Sequence, residues 1–224
     1  MPQGKLIVID GTDGSGKATQ SALLVQKLLA EGYKVRELSF PCYGTPCCAP
    51  VEQYLQGAFG DSPDGVNCYA ASTFYAVDRY ASYQTDWGAF YREGGILVAN
   101  RYVTSNLVHQ MTKLPKEEWE AFACWLSDLE YEKFGIPAPD TVIYLKMPTE
   151  ISQKLMSGRY QGDESKKDIH EKDVDYLARC TAAAEYAAQR EGWHTLNCAD
   201  EQAGEPLSVE TIAQKVYALV KEIL

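Results

Sequence analysis

Residues 5–18 read Lys-Leu-Ile-Val-Ile-Asp-Gly-Thr-Asp-Gly-Ser-Gly-Lys-Ala, and this stretch decides the fold. The apolar run Leu6–Ile9 predicts a buried strand, and apolar residues recur at helical spacing over 22–29. Between them stands G-x-x-x-x-G-K, the glycine-rich loop that binds phosphates when it joins a strand to a helix; here it ends at Ala18, where Ser or Thr is usual. The stretch therefore predicts a strand, a phosphate-binding loop and a helix in succession.

The chemistry of this loop is that of an anion cradle. Its glycines let backbone N–H groups point inward, the helix N-terminus adds partial positive charge, and Lys17 can bridge the outer phosphates of a nucleotide. Ala18 lacks the hydroxyl that normally holds a magnesium ion. The alternative is a glycine-rich turn without a ligand, but the lysine in register and both flanking patterns favour a phosphate site. We expect the nucleotide contacts to come from Gly11, Thr12, Asp13, Gly14, Ser15, Gly16, Lys17, Ala18 and Thr19.

Strand-like and helix-like segments alternate along the chain, which is typical of a parallel sheet with crossover helices on its faces. We expect one α/β domain over residues 1–224, with the three-layer α/β/α architecture of P-loop NTPases, a central parallel sheet of about five strands and a small lid. The predicted strands are 5–10, 34–40, 96–99, 141–145 and 193–198. The predicted helices are 17–31, 68–91, 116–134, 149–158, 173–191 and 208–223.

Charge and composition restrict the partners. A net charge of −10 and a pI near 4.8 argue against nucleic acid or an anionic membrane surface, because both require a basic face. No window has the apolar length of a membrane span, and no signal-peptide pattern is present, so we expect a cytoplasmic protein. The seven cysteines lack C-x-x-C spacing and are expected to be free thiols; a soft-metal cluster at Cys42, Cys47 and Cys48 is the alternative.

Ligands of such sheets bind at the carboxyl ends of the strands, and the segments there carry unusual residues. Phe40-Pro-Cys-Tyr43 follows the second predicted strand. Asn100-Arg-Tyr-Val-Thr-Ser-Asn106 follows the third, and the helix between them contains Tyr75-Ala-Val-Asp-Arg79.

With the loop, these segments resemble the thymidylate kinase family. That family combines a phosphate-binding loop with an F-P segment, an aromatic-x-x-x-Arg helix, a D-R-Y/H-x-x-S segment and a D-x-x-E in a mobile lid. Here they read Phe40-Pro41, Tyr75 to Arg79, Asn100-Arg101-Tyr102 to Ser105, and Asp168-Ile-His-Glu171. The resemblance runs from Lys5 to about Tyr176, and it implies a kinase that uses ATP to convert dTMP to dTDP.

The resemblance also implies roles for the acceptor-site residues. Arg101 would grip the monophosphate of dTMP with a two-pronged hydrogen bond. Tyr75 would stack on the pyrimidine and Arg79 would point at a base carbonyl oxygen; the alternative is that Tyr75 is core packing and Arg79 pairs with Asp78 on a solvated face. His109 would lie near the sugar, where contact with the 3′-hydroxyl and a satisfied surface histidine are equal alternatives. The implied dTMP-binding set is Phe40, Pro41, Tyr43, Tyr75, Arg79, Arg101, Ser105, Asn106 and His109.

Residues 158–172 are polar, contain glycine and are expected to form the lid, although a solvated loop would look similar. Some thymidylate kinases carry an arginine in the phosphate loop and others supply the cation from the lid; Gly14 favours the second kind. Arg159 is then the expected cation, with Lys166 and Lys167 as competitors. The catalytic set implied in this way is Lys17, Arg101 and Arg159.

Three positions depart from the family pattern: Ala18, Asn100 in place of an aspartate, and Cys42-Tyr43 where an arginine often follows F-P. Proton transfer is little affected, because a nucleoside monophosphate has a second pKa of about 6 and needs no general base. Magnesium binding is affected more by these departures, since the ion is usually held by one or two carboxylates. We expect Asp13 to contact hydrated Mg²⁺, with Asp168 and Glu171 completing the shell when the lid closes.

Other functions share part of this pattern. A deoxynucleoside kinase needs a general base for the 5′-hydroxyl, which Asn100 cannot provide, and another nucleoside monophosphate kinase would differ mainly in the base it selects. A nucleotide-binding regulator would explain Ala18 and Asn100, but the retained Arg79 and Arg101 argue against it. The family also implies a homodimer, for which the regions around Trp87 and Trp119 offer apolar surface. The choice between thymine and uracil stays open.

Overall fold

A computed structural model of the chain describes residues 3–159, 169–170, 173–200 and 204–224. Within them, five parallel strands form the central sheet in the order β2-β3-β1-β4-β5. These are β1 (Lys5–Gly11), β2 (Val35–Ser39), β3 (Ile96–Asn100), β4 (Thr141–Lys146) and β5 (His194–Asn197). A separate antiparallel pair consists of β6 (Ala199–Asp200) and β7 (Glu205–Pro206). The predicted parallel sheet and its strands are confirmed.

Helices cover both faces of the sheet. They are α1 (Lys17–Ala30), α2 (Ala49–Leu55), α3 (Cys68–Ser82), α4 (Gly88–Arg92), α5 (Thr104–His109), α6 (Trp119–Ser127), α7 (Thr149–Arg159), α8 (Val174–Glu191) and α9 (Val209–Lys221). A π-helical turn at Tyr83–Trp87 follows α3, and another at Asp128–Lys133 follows α6. The predicted helices 68–91 and 116–134 are therefore each composed of shorter pieces, and α2 and α5 add two helices that the apolar pattern did not predict.

The central strand β1 divides the core into two layers. Leu6 and Val8 face a cluster that includes residues of α5, α6 and α8, whereas Ile7 and Ile9 face a cluster that includes residues of α1 and α9. All four side chains are fully buried, because successive residues of a strand point to opposite faces and both faces are covered. This packing holds the carboxyl end of β1, and the loop after it, in a rigid frame.

Polar side chains cap the starts of α3 and α8, and α3 carries Tyr75 and Arg79. Asn67 caps α3 by accepting a hydrogen bond from the N–H of Ala70 at 2.9 Å, and Asp173 caps α8 by accepting one from the N–H of Tyr176 at 2.8 Å. A polar cap of this kind satisfies backbone donors that have no partner inside the helix.

The proposed apolar contact around Trp87 and Trp119 is wrong, because both indoles belong to the core. Trp87 is 1% exposed and Trp119 is 6% exposed. Each indole N–H is also satisfied internally, by Ser82 Oγ at 2.9 Å and by the Leu114 carbonyl at 3.1 Å.

All seven cysteines are free. Among the described residues no group of three or more His, Cys, Asp or Glu side chains could hold a metal ion, so no metal cluster is formed at Cys42, Cys47 and Cys48. None of the helices in the described ranges is long and apolar enough to cross a membrane.

We expect Ile7→Ala to lower the free energy of unfolding by about 2 to 5 kcal/mol, because it leaves a cavity in the fully buried central strand. The matched control is Leu29→Ala, since Leu29 on α1 is 53% exposed and its loss should change stability by about 0.5 kcal/mol or less. Urea unfolding of the two variants measures the difference. Equal losses would contradict the two-layer core.

Candidate active site

A cleft of about 940 Å³ lies at the carboxyl ends of β1, β2 and β3, where ligands bind in folds of this type. Its walls include all nine residues predicted to bind dTMP. From the predicted donor loop, the lining residues are Asp13, Gly14, Gly16, Lys17, Ala18 and Thr19. The remaining three, Gly11, Thr12 and Ser15, are buried beneath the loop surface.

The phosphate-binding loop needs glycine at two positions. Gly14 has φ +80°, and a Cβ there would lie 2.6 Å from the Ser152 carbonyl oxygen of α7. Gly16, with φ +88°, ends the loop in the left-handed region directly before α1. The Lys17 ammonium donates to the Thr12 carbonyl at 2.8 Å, which folds the side chain back over the loop.

Asp13 and Arg101 form an ion pair that joins the loop to the segment after β3. Arg101 has φ +67°, unusual for a residue with a Cβ, and its N–H donates to the Ile9 carbonyl at 3.1 Å. Lys17 Nζ lies 3.7 Å from the same Asp13 oxygen. Although burial alone would raise the pKa of Asp13, Arg101 and Lys17 hold it well below its usual range. Burial, followed by the charge of Arg101, lowers the pKa of Lys17 to about 8, while Asp13 partly opposes this.

The buried carboxylate of Asp10 supports this arrangement through its hydrogen bonds. Asp10, at the end of β1, accepts hydrogen bonds from Thr104 Oγ1 at 2.5 Å, from Ser105 Oγ at 2.9 Å and from the N–H of Gly11 at 2.8 Å. Asp10 therefore ties the start of α5 to the start of the phosphate loop. The hydroxyl of Ser105 lines the cleft but donates to Asp10, which leaves it less able to reach a base edge.

Arg79 also lines the cleft and is 1% exposed. Its Nε and Nη2 donate to the two carboxylate oxygens of Glu130 at 2.7 Å and 2.5 Å. Asp78 instead accepts from the N–H of Cys42 at 2.8 Å. The alternative in which Arg79 pairs with Asp78 on a solvated face is therefore wrong.

Two buried histidines stand next to Arg101. The rings of His109 and His170 stack with centroids 5.7 Å apart, and Arg101 Nη1 donates to His109 Nε2 at 3.0 Å. On the far side, His170 Nε2 contacts the Tyr54 hydroxyl at 2.9 Å. Burial first and then Arg101 lower the pKa of His109, and burial lowers that of His170 to about 3. Both rings are thus neutral at physiological pH, and His109 is not a surface histidine.

Sequence reasoning missed three residues of this site: Gln110, Glu130 and His170. Gln110 lines the cleft and is 1% exposed, and neither of its amide atoms has a hydrogen-bond partner within the part of the chain that the structure describes. It directly follows His109, so extending the predicted segment by one residue would have found it. Glu130 and His170 carried no usable signal, because each is brought to the site from a distant part of the chain.

Most of the predicted lid, namely residues 160–168 and 171–172, lies outside the described residues. Lys166, Lys167, Asp168 and Glu171 lie outside the described residues, as does the side chain of Arg159 at the end of α7. Their roles stay predictions.

Comparison of the chain with known proteins points to one family. The family model described as thymidylate kinase matches residues 9–205. A thymidylate kinase from Mycobacterium tuberculosis is 34% identical over 191 residues, covering 84% of this chain and 87% of its own. The human thymidylate kinase is 28% identical over 145 residues, covering 65% of this chain and 62% of its own.

The chain belongs to the thymidylate kinase family. In three dimensions it is similar to a solved thymidylate kinase of Candida albicans, with a TM-score of 0.71 and 17% identity, covering 98% of this chain and 92% of the other. At that identity the likeness shows the fold alone. The predicted family and fold class are confirmed.

Two departures from the family pattern, Ala18 and Asn100, line the same cleft as Asp13. Asn100 Nδ2 donates to Ser39 Oγ at 3.2 Å, and the buried Asn100 Oδ1 has no hydrogen-bond partner among the described residues. An unsatisfied buried oxygen is costly unless a ligand or water pairs with it.

Because His170 stays neutral when folded but titrates near 6.5 when unfolded, the unfolded state binds more protons below pH 6.5 and stability falls as pH falls. Between pH 7 and pH 5 this single group should cost about 2 kcal/mol. His170→Phe keeps an aromatic ring but cannot titrate, so its unfolding free energy should depend less on pH than that of the wild type.

The control is His194→Gln, because His194 is exposed. Urea unfolding at pH 7, 6 and 5 gives, for each variant, the slope of the unfolding free energy against pH. A His170→Phe slope equal to that of the wild type would contradict a neutral buried imidazole.

Proposed function

We propose that this chain transfers the γ-phosphoryl group of ATP to dTMP, giving dTDP and ADP in dTTP synthesis. Its family is that of the dTMP phosphotransferases, and the observation that carries the assignment is the shared cleft of Lys17 and Arg101. The two cations flank Asp13, with one on the phosphate loop and the other after β3. Two cations held this close together suit two phosphate-bearing substrates that react with each other.

The donor phosphates would bind in the loop of residues 11–19. Lys17, held over the loop by the Thr12 carbonyl, would contact the outer phosphates, and the start of α1 would add the partial charge of the helix N-terminus. Arg159 is the proposed lid cation for charge that develops on the transferring group, with Lys166 and Lys167 as competitors. Little covalent chemistry is required of the protein, so positioning and charge neutralisation carry catalysis.

Arg101 would bind the acceptor monophosphate. Its guanidinium contacts Asp13 through Nη2 and His109 through Nη1, so it is already oriented within the cleft. The planar fork of an arginine matches two phosphate oxygens, which a lysine ammonium cannot do. When the acceptor arrives, its phosphate would share or replace Asp13 as the anionic partner.

The base would lie between Tyr75 and the segment Phe40–Pro41, both on the cleft wall. Arg79 would donate to a carbonyl oxygen at the deep end of the cleft, and Asn106 and Gln110 would reach the base edge. Gln110 is the strongest of these, because both of its buried amide atoms lack a partner. Tyr43, which is 62% exposed, would cover the cleft mouth, and His109 would lie beside the sugar.

The residues present fit a hydrated magnesium ion. Asn100 Oδ1 is a buried acceptor without a partner, and the contacts of Asp13 with Arg101 and Lys17 both involve Oδ1. Asp13 Oδ2 and Asn100 Oδ1 would therefore hold the water shell, with Asp168 and Glu171 added from the lid. Magnesium supplies charge neutralisation on the donor phosphates. The chain itself contributes the orienting oxygens.

We also propose a homodimer, a cytoplasmic location, and one domain over residues 1–224 with a lid near 158–172. Tyr69, Val77 and Tyr80 support the homodimer, because they lie exposed along α3. The free thiols support a reducing compartment. Light scattering of the full chain measures its mass in solution, and a monomer at micromolar concentration would contradict the dimer.

The function is tested by ADP release with ATP and each acceptor in turn: dTMP, dUMP, thymidine and the other nucleoside monophosphates. dTMP should give the highest kcat/KM. Turnover of thymidine would favour a deoxynucleoside kinase, preference for another monophosphate would favour a different member of that enzyme group, and turnover of none would favour a regulator. Nothing observed in the cleft favours one of these three.

In the same assay, Arg101→Lys should lower kcat/KM for dTMP by about 100-fold, because the charge stays but the two-pronged contact is lost. The KM for ATP should change by less than about threefold. Arg92→Lys is the control, since Arg92 is exposed on α4. If Arg101→Lys instead raised the KM for ATP and left the KM for dTMP unchanged, Arg101 would belong to the donor site and not to the acceptor site.

The magnesium arrangement predicts that Asp13→Ala weakens metal binding and that Asn100→Asp strengthens it, each by about tenfold, because a carboxylate binds Mg²⁺ better than an amide or methyl group. Electron paramagnetic resonance of free Mn²⁺ in the presence of ATP and protein measures the affinity without turnover. Asp86→Asn, an exposed carboxylate paired with Arg36, is the control. An unchanged affinity in Asp13→Ala would remove Asp13 from the metal site.

A further inference from the structure

Glu130 is the buried partner of Arg79. Glu130 is 0% exposed, whereas Asp128, Glu132 and Lys133 of the same π-helical turn are exposed. The turn thus directs one carboxylate inward and leaves its other charged residues in solvent. Glu130 does not line the cleft, but Arg79, which it holds, does.

The contact uses a defined part of the guanidinium. Glu130 accepts from Nε and Nη2 at 2.7 Å and 2.5 Å, and Nη1 lies 3.4 Å from the Tyr102 carbonyl. A bidentate pair fixes the plane of the guanidinium as well as its position. With one edge occupied by Glu130 and one N–H of Nη1 donated to the Tyr102 carbonyl, the donors that remain for a ligand are the second N–H of Nη1 and the second N–H of Nη2.

Stability alone does not account for this pair. Removing two charges from water costs several kcal/mol per ion, and apolar residues of similar volume often serve a core equally well or better. Arg79 instead lines the same cleft as Asn106 and Gln110, where a substrate donor is needed, and Glu130 holds it there from behind the cleft wall. Glu130 also balances the positive charge of Arg79. The base, which is the uncharged end of the nucleotide, would therefore meet the oriented N–H groups of Arg79 without an unpaired cation.

We propose that Glu130 is a positioning residue for base selection. It holds Arg79 so that its free N–H groups meet the ring carbonyl farthest from the sugar, where cytosine carries an amino group that cannot accept a hydrogen bond. The inference rests on the proposed function and deepens it, because it makes the preference for dTMP over dCMP depend on a residue that never touches the nucleotide.

The test is the ratio of kcat/KM for dTMP to that for dCMP. In Glu130→Gln the side chain keeps its size but can accept only one of the two hydrogen bonds, and the ratio should fall at least about tenfold, mainly through a higher KM for dTMP. The kcat for dTMP and the KM for ATP should each stay within about threefold of wild type. Glu132→Gln, an exposed residue of the same turn, should leave every value unchanged.

Two further variants separate positioning from general support of the fold. Glu130→Asp keeps the charge but shortens the reach, so it should fold and still lower the ratio. The double variant Arg79→Gln with Glu130→Gln can pair two amides, and its ratio should equal that of Arg79→Gln alone, because Glu130 acts only through Arg79.

A purely structural role would reduce the turnover of both nucleotides by the same factor. An unchanged ratio in Glu130→Gln, or in Glu130→Asp if the first variant does not fold, would overturn the inference. So would a further fall of the ratio when Glu130→Gln is added to Arg79→Gln. Failure of the proposed function is distinguishable, because the wild-type protein itself would then show no preference for dTMP.

Discussion

The ion pair between Asp13 and Arg101 is the contact on which the cleft depends. It joins the loop after β1 to the segment after β3, although the two residues are 88 positions apart in the chain. Arg101 adopts a left-handed backbone to make it and is held on its other side by the neutral His109. Because the neighbouring strands are locked by a core on both faces, the pair fixes the loop after β1 against the segment after β3.

The pair also shows how an acidic protein binds two anionic substrates. The chain has a net charge of −10, yet Lys17 and Arg101 lie together inside one cleft. A carboxylate between them satisfies both cations when no phosphate is bound, and the nearby imidazoles stay uncharged through burial. Local charge, and not net charge, determines which ligands a cleft accepts.

Much of this could be read from the sequence, because the information was local. The phosphate-binding motif could be recognised from its glycines and its lysine between a strand-like and a helix-like segment. Because parallel strands present their carboxyl ends at one edge of the sheet, Tyr75, Arg101 and His109 could also be expected to lie close together. Reasoning failed where a partner came from elsewhere. The regions around Trp87 and Trp119 were expected to offer apolar surface, and nothing in the sequence identified Glu130 as the partner of Arg79.

The five central strands, most of the helices, the phosphate-binding motif and the family could be read from the sequence alone, since these depend on periodicity and on short motifs. Only the tertiary structure decided what each charged side chain pairs with. Glu130 reaches Arg79 across 51 residues, and His170 reaches the Arg101 side of the cleft from beyond α7. Such pairings depend on which buried charges meet when the layers pack, because a buried charge must find a partner, and no local pattern records which partner that is.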